Sequence, residues 1–244
     1  MRVAVVSDIH ANLHALEAVL AAIDGARVDA VWCLGDVVGY GAQPSRCCEL
    51  VRTRCDPVLV GNHDLGALGA LDLDDFSPEA AAVARWTGTV LEPEERAFLE
   101  SLSPSAETAQ ALLAHGSPRD PVWEYVLTAE AALAAIEAST KPLVLVGHSH
   151  VALVVELTDE GELRAGTAEA ESFVELTPGA RRLLNPGSVG QPRDGDPRAA
   201  WLLLDLGRGR ARFRRTEYAV ERTQEEIVAA GLPESLATRL GSGT

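Results

Sequence analysis

Five of the six histidines in this 244-residue chain stand in short polar motifs, each following an apolar run. The first is Ser7-Asp8-Ile9-His10-Ala11-Asn12, and the second is Gly35-Asp36-Val37-Val38-Gly39-Tyr40-Gly41. Gly61-Asn62-His63-Asp64, His115-Gly116-Ser117-Pro118 and Gly147-His148-Ser149-His150 complete the set; only His14 stands outside it. Asp-x-His and His-x-His put alternate side chains on one side of an extended segment, so both can reach one metal ion. Imidazole combined with carboxylate suits Mn, Fe, Zn, Ni or Co better than Mg or Ca. Glycines before Asp36, Asn62 and His148 predict sharp turns that aim the motifs at a common point. Taken singly, Asp8, Asp36 and Asn62 read as caps of a following helix, and a lone strand-end histidine as a hydrogen-bonded polar residue.

The elements that must carry these motifs follow from periodicity. Strands are predicted over 2–6, 30–34 and 57–60, with helices over 13–23 and 44–54 between them. Such alternation implies parallel pairing and right-handed crossovers. It also puts the motifs at the C-terminal ends of strands, where open α/β sheets place their crevices. Two helices fit 78–90 and 93–102, each opened by a proline and an acidic residue. The second half reads as strands over 110–114, 142–146, 151–157, 163–166, 172–176 and 199–206, with helices near 129–139 and 220–230. Asp159-Glu160-Gly161 marks a hairpin. Arg208, Arg210, Arg212 and Arg214 alternate with small or apolar residues, which reads as the solvated face of an edge strand rather than a basic patch for a phosphate-bearing partner. No internal repeat and no Pro/Gly/Ser linker divides the chain, so a single domain over 1–244 is expected.

Twenty-one Lys and Arg against 36 Asp and Glu leave a formal net charge of −15. That balance disfavours long nucleic acid and anionic membrane as partners, since both bind through Lys and Arg. Three of the acids, Asp8, Asp36 and Asp64, belong to the motifs themselves. The local field in the crevice, not the total, governs capture of a small anion. Cys33, Cys47, Cys48 and Cys55 crowd into one short segment without a C-x-x-C pattern, which reads as reduced thiols in a cytoplasmic protein. The N-terminal residues carry neither the basic region nor the long apolar core of a signal peptide.

In their order and spacing, Asp8-x-His10, Gly35-Asp36, Gly61-Asn62-His63-Asp64, His115 and Gly147-His148-x-His150 resemble the calcineurin-like metallophosphoesterase superfamily. Downstream, Asn185-Pro186-Gly187-Ser188-Val189-Gly190-Gln191-Pro192-Arg193 is similar to its small bacterial phosphodiesterase-like branch. The resemblance implies a mixed α/β, four-layer αββα sandwich, two packed mixed sheets flanked by helices. It implies two divalent transition-metal ions, one held by Asp8, His10, Asp36 and His150, the other by Asp36, Asn62, His115 and His148. The implied reaction is in-line attack of a metal-bridging hydroxide on phosphorus, with His63 approaching the substrate. Asp64, adjacent in sequence, is a candidate to orient His63. A small phosphoester is the expected substrate, and a small or nucleotide-like phosphodiester the favoured one. A phosphomonoesterase, a nucleotide pyrophosphatase of the diadenosine tetraphosphate type, and a metal-containing scaffold with little turnover are the alternatives.

The chain departs from the Gly-Asp-x-x-Asp-Arg-Gly and Gly-Asn-His-Glu patterns of the superfamily's protein phosphatases and symmetrical tetraphosphatases. Gly39 and Tyr40 stand where Asp and Arg would, and Asp64 where Glu would. Without that arginine, Tyr40 either stacks on a base or aryl group or packs over the helix opened by Pro44. Arg119 and Arg193 are the remaining cations near the motifs, either gripping phosphate or pairing with Asp120 and Asp194 in their loops. Trp123 and Tyr125 either line a pocket rim or anchor their loop. The sequence leaves the oligomeric state and the metals' identity open.

Overall fold

A computed structural model describes all residues, 1–244. The chain runs β1 (Arg2–Val6), α1 (Leu13–Ala26), β2 (Ala30–Cys33), α2 (Pro44–Arg54), α3 (Asn62–Leu68), α4 (Pro78–Val90) and α5 (Pro93–Glu100). It continues through β3 (Ser105–Glu107), β4 (Ala111–Ala114), α6 (Ala129–Glu137), β5 (Leu143–Val146), β6 (Ala152–Thr158), β7 (Leu163–Thr167), β8 (Phe173–Glu175) and β9 (Ala180–Pro186). Last come β10 (Ala199–Asp205), β11 (Arg210–Thr216), α7 (Val220–Ala229) and α8 (Glu234–Leu240). Local signals set several starts. Asn12 and Ser77 accept from Ala15 N and Ala80 N as side-chain caps of α1 and α4, and Pro44, Pro78 and Pro93 open their helices, where a missing N–H costs nothing.

Two mixed sheets result, ordered β2-β1-β10-β11-β8 and β3-β4-β5-β9-β6-β7. β1 pairs parallel with β2 and antiparallel with β10, while β5 lies between two parallel partners, β4 and β9. The period of two along β1 explains the layering. Val3 and Val5 join Leu143, Leu145, Leu202, Leu204 and Phe213 in the core between the sheets. Ala4 and Val6 point the other way, into a core shared with Leu16, Val19 and Leu20 of α1 and Cys47, Cys48 and Val51 of α2. On the far side, Val144, Val146 and Leu183 bury Ala132, Ala135 and Ile136 of α6. Helix, sheet, sheet, helix is the four-layer order that the resemblance implied.

Three expectations need correction. Residues 57–60 form no strand; Val58 and Leu59 make only isolated bridges to Cys33 and Ser103, because Pro57 has no N–H to give and α3 starts at Asn62. Residues 180–186, where no strand was expected, form β9 inside the second sheet. β11 is not an edge strand, because β8 covers it through Arg210–Glu175, Ala211–Val174 and Arg212–Phe173 pairing. Its arginines still face outward, where Arg210 Nε sits 2.9 Å from Glu175, and Arg212 Nη2 and Arg214 Nε sit 2.5 Å and 3.0 Å from Glu171.

Candidate metal centre

Loops leaving β1, β2, β4 and β5, together with the start of α3, meet at one end of the two sheets. Backbone bonds lock them to one another. Asp8 N donates to Gly35 O at 3.0 Å, His10 N to Asp36 O at 2.9 Å, and Gly147 N to His115 O at 2.9 Å. Asp8, His10, Asp36, Asn62, His115, His148 and His150 are thereby brought together, none more than 3% exposed. Their donor atoms fall into two groups that share one residue, Asp8–His10–Asp36–His150 and Asp36–His115–His148, each with all its atoms within 4.8 Å of one another. Asn62 Oδ1 joins the second group, 3.2 Å from His115 Nε2.

Hydrogen bonding shows what these groups are built to hold. A carbonyl oxygen can only accept, so a ring nitrogen facing one must carry the proton. His10 Nδ1 lies 3.1 Å from Val38 O, His115 Nδ1 2.9 Å from Leu34 O, and His150 Nδ1 2.6 Å from Gln191 O. Every Nε2 therefore turns inward. Burial pushes the pKa of His10 and His150 well below the usual range, so both rings are neutral, and their Nε2 lone pairs face each other at 3.0 Å. His150 Nε2 also lies 3.5 Å from Asp8 Oδ1, and His10 Nε2 3.7 Å from Asp36 Oδ2. Buried acceptors converging without a proton between them cost several kcal/mol unless a cation joins them. Asp36 Oδ2 and His148 Nε2 are likewise buried without a partner. The residues present thus fit a divalent metal centre around Asp36, with the imidazoles of His10, His115 and His150 each oriented by a backbone carbonyl.

The electrostatics agree. Burial alone would raise the Asp36 carboxyl, but the surrounding imidazoles, His115 first, hold it well below the usual carboxylate range. Burial pulls His115 down, yet the Asp36 charge outweighs it and carries the ring up to about 9. Without metal, the proton on His115 stands in for a cation opposite Asp36 Oδ2, 3.4 Å away. Burial pushes Asp8 up to about 7 and His63 down to about 4.

Backbone strain concentrates here as well. Nine non-glycine residues have left-handed φ, and six are Asp8, His10, Asp36, Tyr40, His148 and His150. Each such residue costs roughly 1–2 kcal/mol, which a structure retains where function over-determines it. The glycines act by making room more than by turning. A Cβ on Gly61 would collide with the Asp36 carboxylate, and one on Gly147 with Ser7 Oγ.

The other expected site residues divide. His63 lies beside the centre, its Nδ1 buried against Gly39 with no partner. Asp64 makes no hydrogen bond to its ring. Asp64 Oδ1 accepts from Val38 N at 2.9 Å and Oδ2 from Gly61 N at 3.0 Å, so it holds the backbone at the start of α3. Adjacent residues in a helix point about 100° apart, which sequence adjacency concealed. Tyr40 packs not over the helix opened by Pro44 but against α4, α8 and the imidazoles of the centre. Its ring centre lies 4.7 Å from that of His10 and 4.4 Å from that of His63, and it also packs with Ala80, Val83 and Leu236. Arg119 is committed to Glu124, not Asp120, and does not line the pocket. Arg193 does line it and makes no pair with Asp194, which is taken by Arg215.

That pocket, a cavity of about 260 Å³, opens beside Asn62 and His63 and contains residues the sequence did not single out, Asp75, Phe76 and Arg239 among them. Phe76 meets Trp123 edge to face at 5.1 Å, and Tyr125 stacks on His148 at 3.8 Å. Only tertiary packing brings residues 76 and 239 to residue 63, and no local pattern marks them.

The sequence profile of the calcineurin-like phosphoesterase superfamily domain matches residues 1–209, and the chain belongs to that family. It is 38% identical to an uncharacterized protein of Methanocaldococcus jannaschii over 99% of this chain and 98% of that protein. Among solved structures, a metallophosphoesterase from Sphaerobacter thermophilus is 42% identical, with a TM-score of 0.89 over 100% of this chain and 99% of that one. A hypothetical protein from Pyrococcus horikoshii shares the fold, with a TM-score of 0.81 at 20% identity over 100% of this chain and 98% of that one. No helix is long and apolar enough to cross a membrane.

Proposed function

We propose that this metallophosphoesterase is a dinuclear metal-dependent phosphodiesterase acting on a small or nucleotide-like phosphodiester. The observation that carries the reading is the pair of buried donor groups sharing Asp36, with three Nε2 atoms fixed inward by backbone carbonyls. Asp8, His10, Asp36 and His150 would hold one ion, and Asp36, Asn62, His115 and His148 the other. When bound, two divalent ions supply Lewis-acid polarisation of the phosphoryl oxygens and an activated water.

The chain's own residues do the rest. His63, neutral at pH 7 and free of internal hydrogen bonds, presents a ring nitrogen at the mouth of the centre, where a leaving oxygen would sit. Asp64 fixes the Val38 and Gly61 amides, holding the turn that aims His63. The aromatic wall beside it accommodates an organic group, which a phosphodiester carries on both sides of phosphorus and an inorganic phosphate lacks.

Metal-stripped protein reloaded with Mn²⁺ and assayed on an aryl phosphodiester, an aryl phosphomonoester and diadenosine tetraphosphate tests this. Diester turnover lost with chelator is expected. Activity confined to the monoester or the dinucleotide would replace the diester reading, and no turnover on any of them would make the chain a metal-containing scaffold.

A further inference from the structure

Several of the chain's arginines are neutralised where they stand. Arg215 pairs with Asp194, Arg198 with Asp196, Arg182 with Glu156, and the outward arginines of β11 with Glu171 and Glu175. Arg193 and Arg239 differ. Both line the cavity beside His63, and neither pairs with an Asp or Glu side chain although Asp75 lines the same cavity. Arg193 spends Nη2 on Tyr40 Oη at 3.2 Å and Gln191 Oε1 at 3.1 Å, and its Nε is buried with no partner. Arg239 donates Nε to Thr244 O at 2.6 Å, and its two Nη groups make no hydrogen bond.

Arg239 is held there firmly. The α7–α8 pair lies beyond residue 209, where the family match ends. It buries Ile227, Leu232, Leu236, Ala237 and Leu240 against Tyr40, Ala80 and Val83, and Gln224 Nε2 latches it to Ala237 O at 2.8 Å. Two guanidiniums are thus fixed in one cavity with donors to spare, at a cost in mutual repulsion that an arriving anion would reverse. Burial and the charge of Arg193 pull the pKa of Arg239 down, as such crowding requires.

Placement says which anion. Arg193 N donates to His150 O at 3.3 Å, so its loop abuts the Asp8–His10–His150 group, and Tyr40 bridges the imidazoles to the Arg193 guanidinium. The arginine pair is therefore set back from the ligands that would face the scissile phosphorus, with Phe76 and Trp123 lining the same cavity. We infer that Arg193 and Arg239 form a second phosphate position, and that the substrate class is an aromatic-bearing phosphoester with at least two phosphates, of the nucleoside diphosphate type. This rests on the phosphoesterase reading above and deepens it.

Calorimetry on Mn²⁺-loaded protein tests it without turnover, using AMP and the methylene-bridged analogue of ADP. The analogue should bind wild type about tenfold or more tighter than AMP, a gain typical of one charge-assisted phosphate contact. Arg239→Gln should cut that ratio to about threefold or less, while Arg239→Lys should retain most of it. Thr238→Ala, exposed on the same helix, should keep the full ratio and so exclude loosening of α8. Equal binding of the two nucleotides by wild type, or an unchanged ratio in Arg239→Gln, would overturn the inference. Inorganic pyrophosphate binding as tightly as the analogue would overturn the aromatic part of it. Aryl phosphodiester turnover, measured on the same samples, reports separately on the phosphoesterase reading.

Discussion

Two polar regions of this chain contrast sharply. On the β8–β11 face, Arg210 is exposed and Arg212 and Arg214 are half-buried, and each has an acidic partner in Glu171 or Glu175. At the strand ends, Asp36 Oδ2, His148 Nε2 and His63 Nδ1 are buried without partners, on a backbone that repeatedly adopts left-handed φ. Charge that is paired and hydrated contributes about 0–1 kcal/mol per pair and needs no ligand. Polarity that is buried, strained and unpaired destabilises the metal-free chain and implies a ligand that reverses the cost. The difference separates a solvated surface from a site.

The largest effect should come from the shared ligand. Asp36→Asn removes the charge common to both groups and should lower kcat/KM for the aryl phosphodiester by at least on the order of a thousandfold, since several kcal/mol of transition-state stabilisation are lost. Steady-state kinetics on metal-loaded protein checks this. Gly61→Ala drives a methyl into the Asp36 carboxylate. It should cost about 1–3 kcal/mol of stability in chemical denaturation and release metal on dialysis.

Chelation should lower Tm, and adding Mn²⁺ back at about 100 times its Kd should restore about 2.7 kcal/mol, roughly 5–10 °C for a domain of this size. Buried thiols make a smaller contribution. Burial pushes Cys55 up to about 12 and Cys33, Cys47 and Cys48 further. Because these pKa values are raised in the folded state, their contribution is whole below the ordinary thiol value of 9.0 and is lost as pH rises toward 12. Folded protein should therefore not react with a thiol reagent at pH 8, and unfolded protein should show four thiols. Smallest of all, Glu171→Gln on the paired face should change stability by no more than about 1 kcal/mol and leave phosphodiester turnover at the wild-type rate. A large loss there would erase the contrast.

Much of the centre was legible in sequence because each of Asp8, Asp36, His115 and His148 lies within three residues of its strand's end, so local order implies spatial convergence. The layers were legible only through the resemblance; in the structure the period of two along β1 sends Val3 and Val5 to one core and Ala4 and Val6 to the other. Side-chain direction was not legible at Asp64, whose helical turn points it at backbone amides instead of His63. Strand identity failed at 57–60, where Pro57 and the early start of α3 leave only isolated bridges. Phe76 and Arg239 escaped because apolar packing of distant helices, not spacing, brings them beside His63.

Metal content and turnover measured on one sample test the central claim most directly. Wild-type protein reloaded with Mn²⁺ should carry two ions per chain by elemental analysis and hydrolyse the aryl phosphodiester, and chelation should remove both together. A chain that binds no metal, or that turns over fully after chelation, would contradict the account.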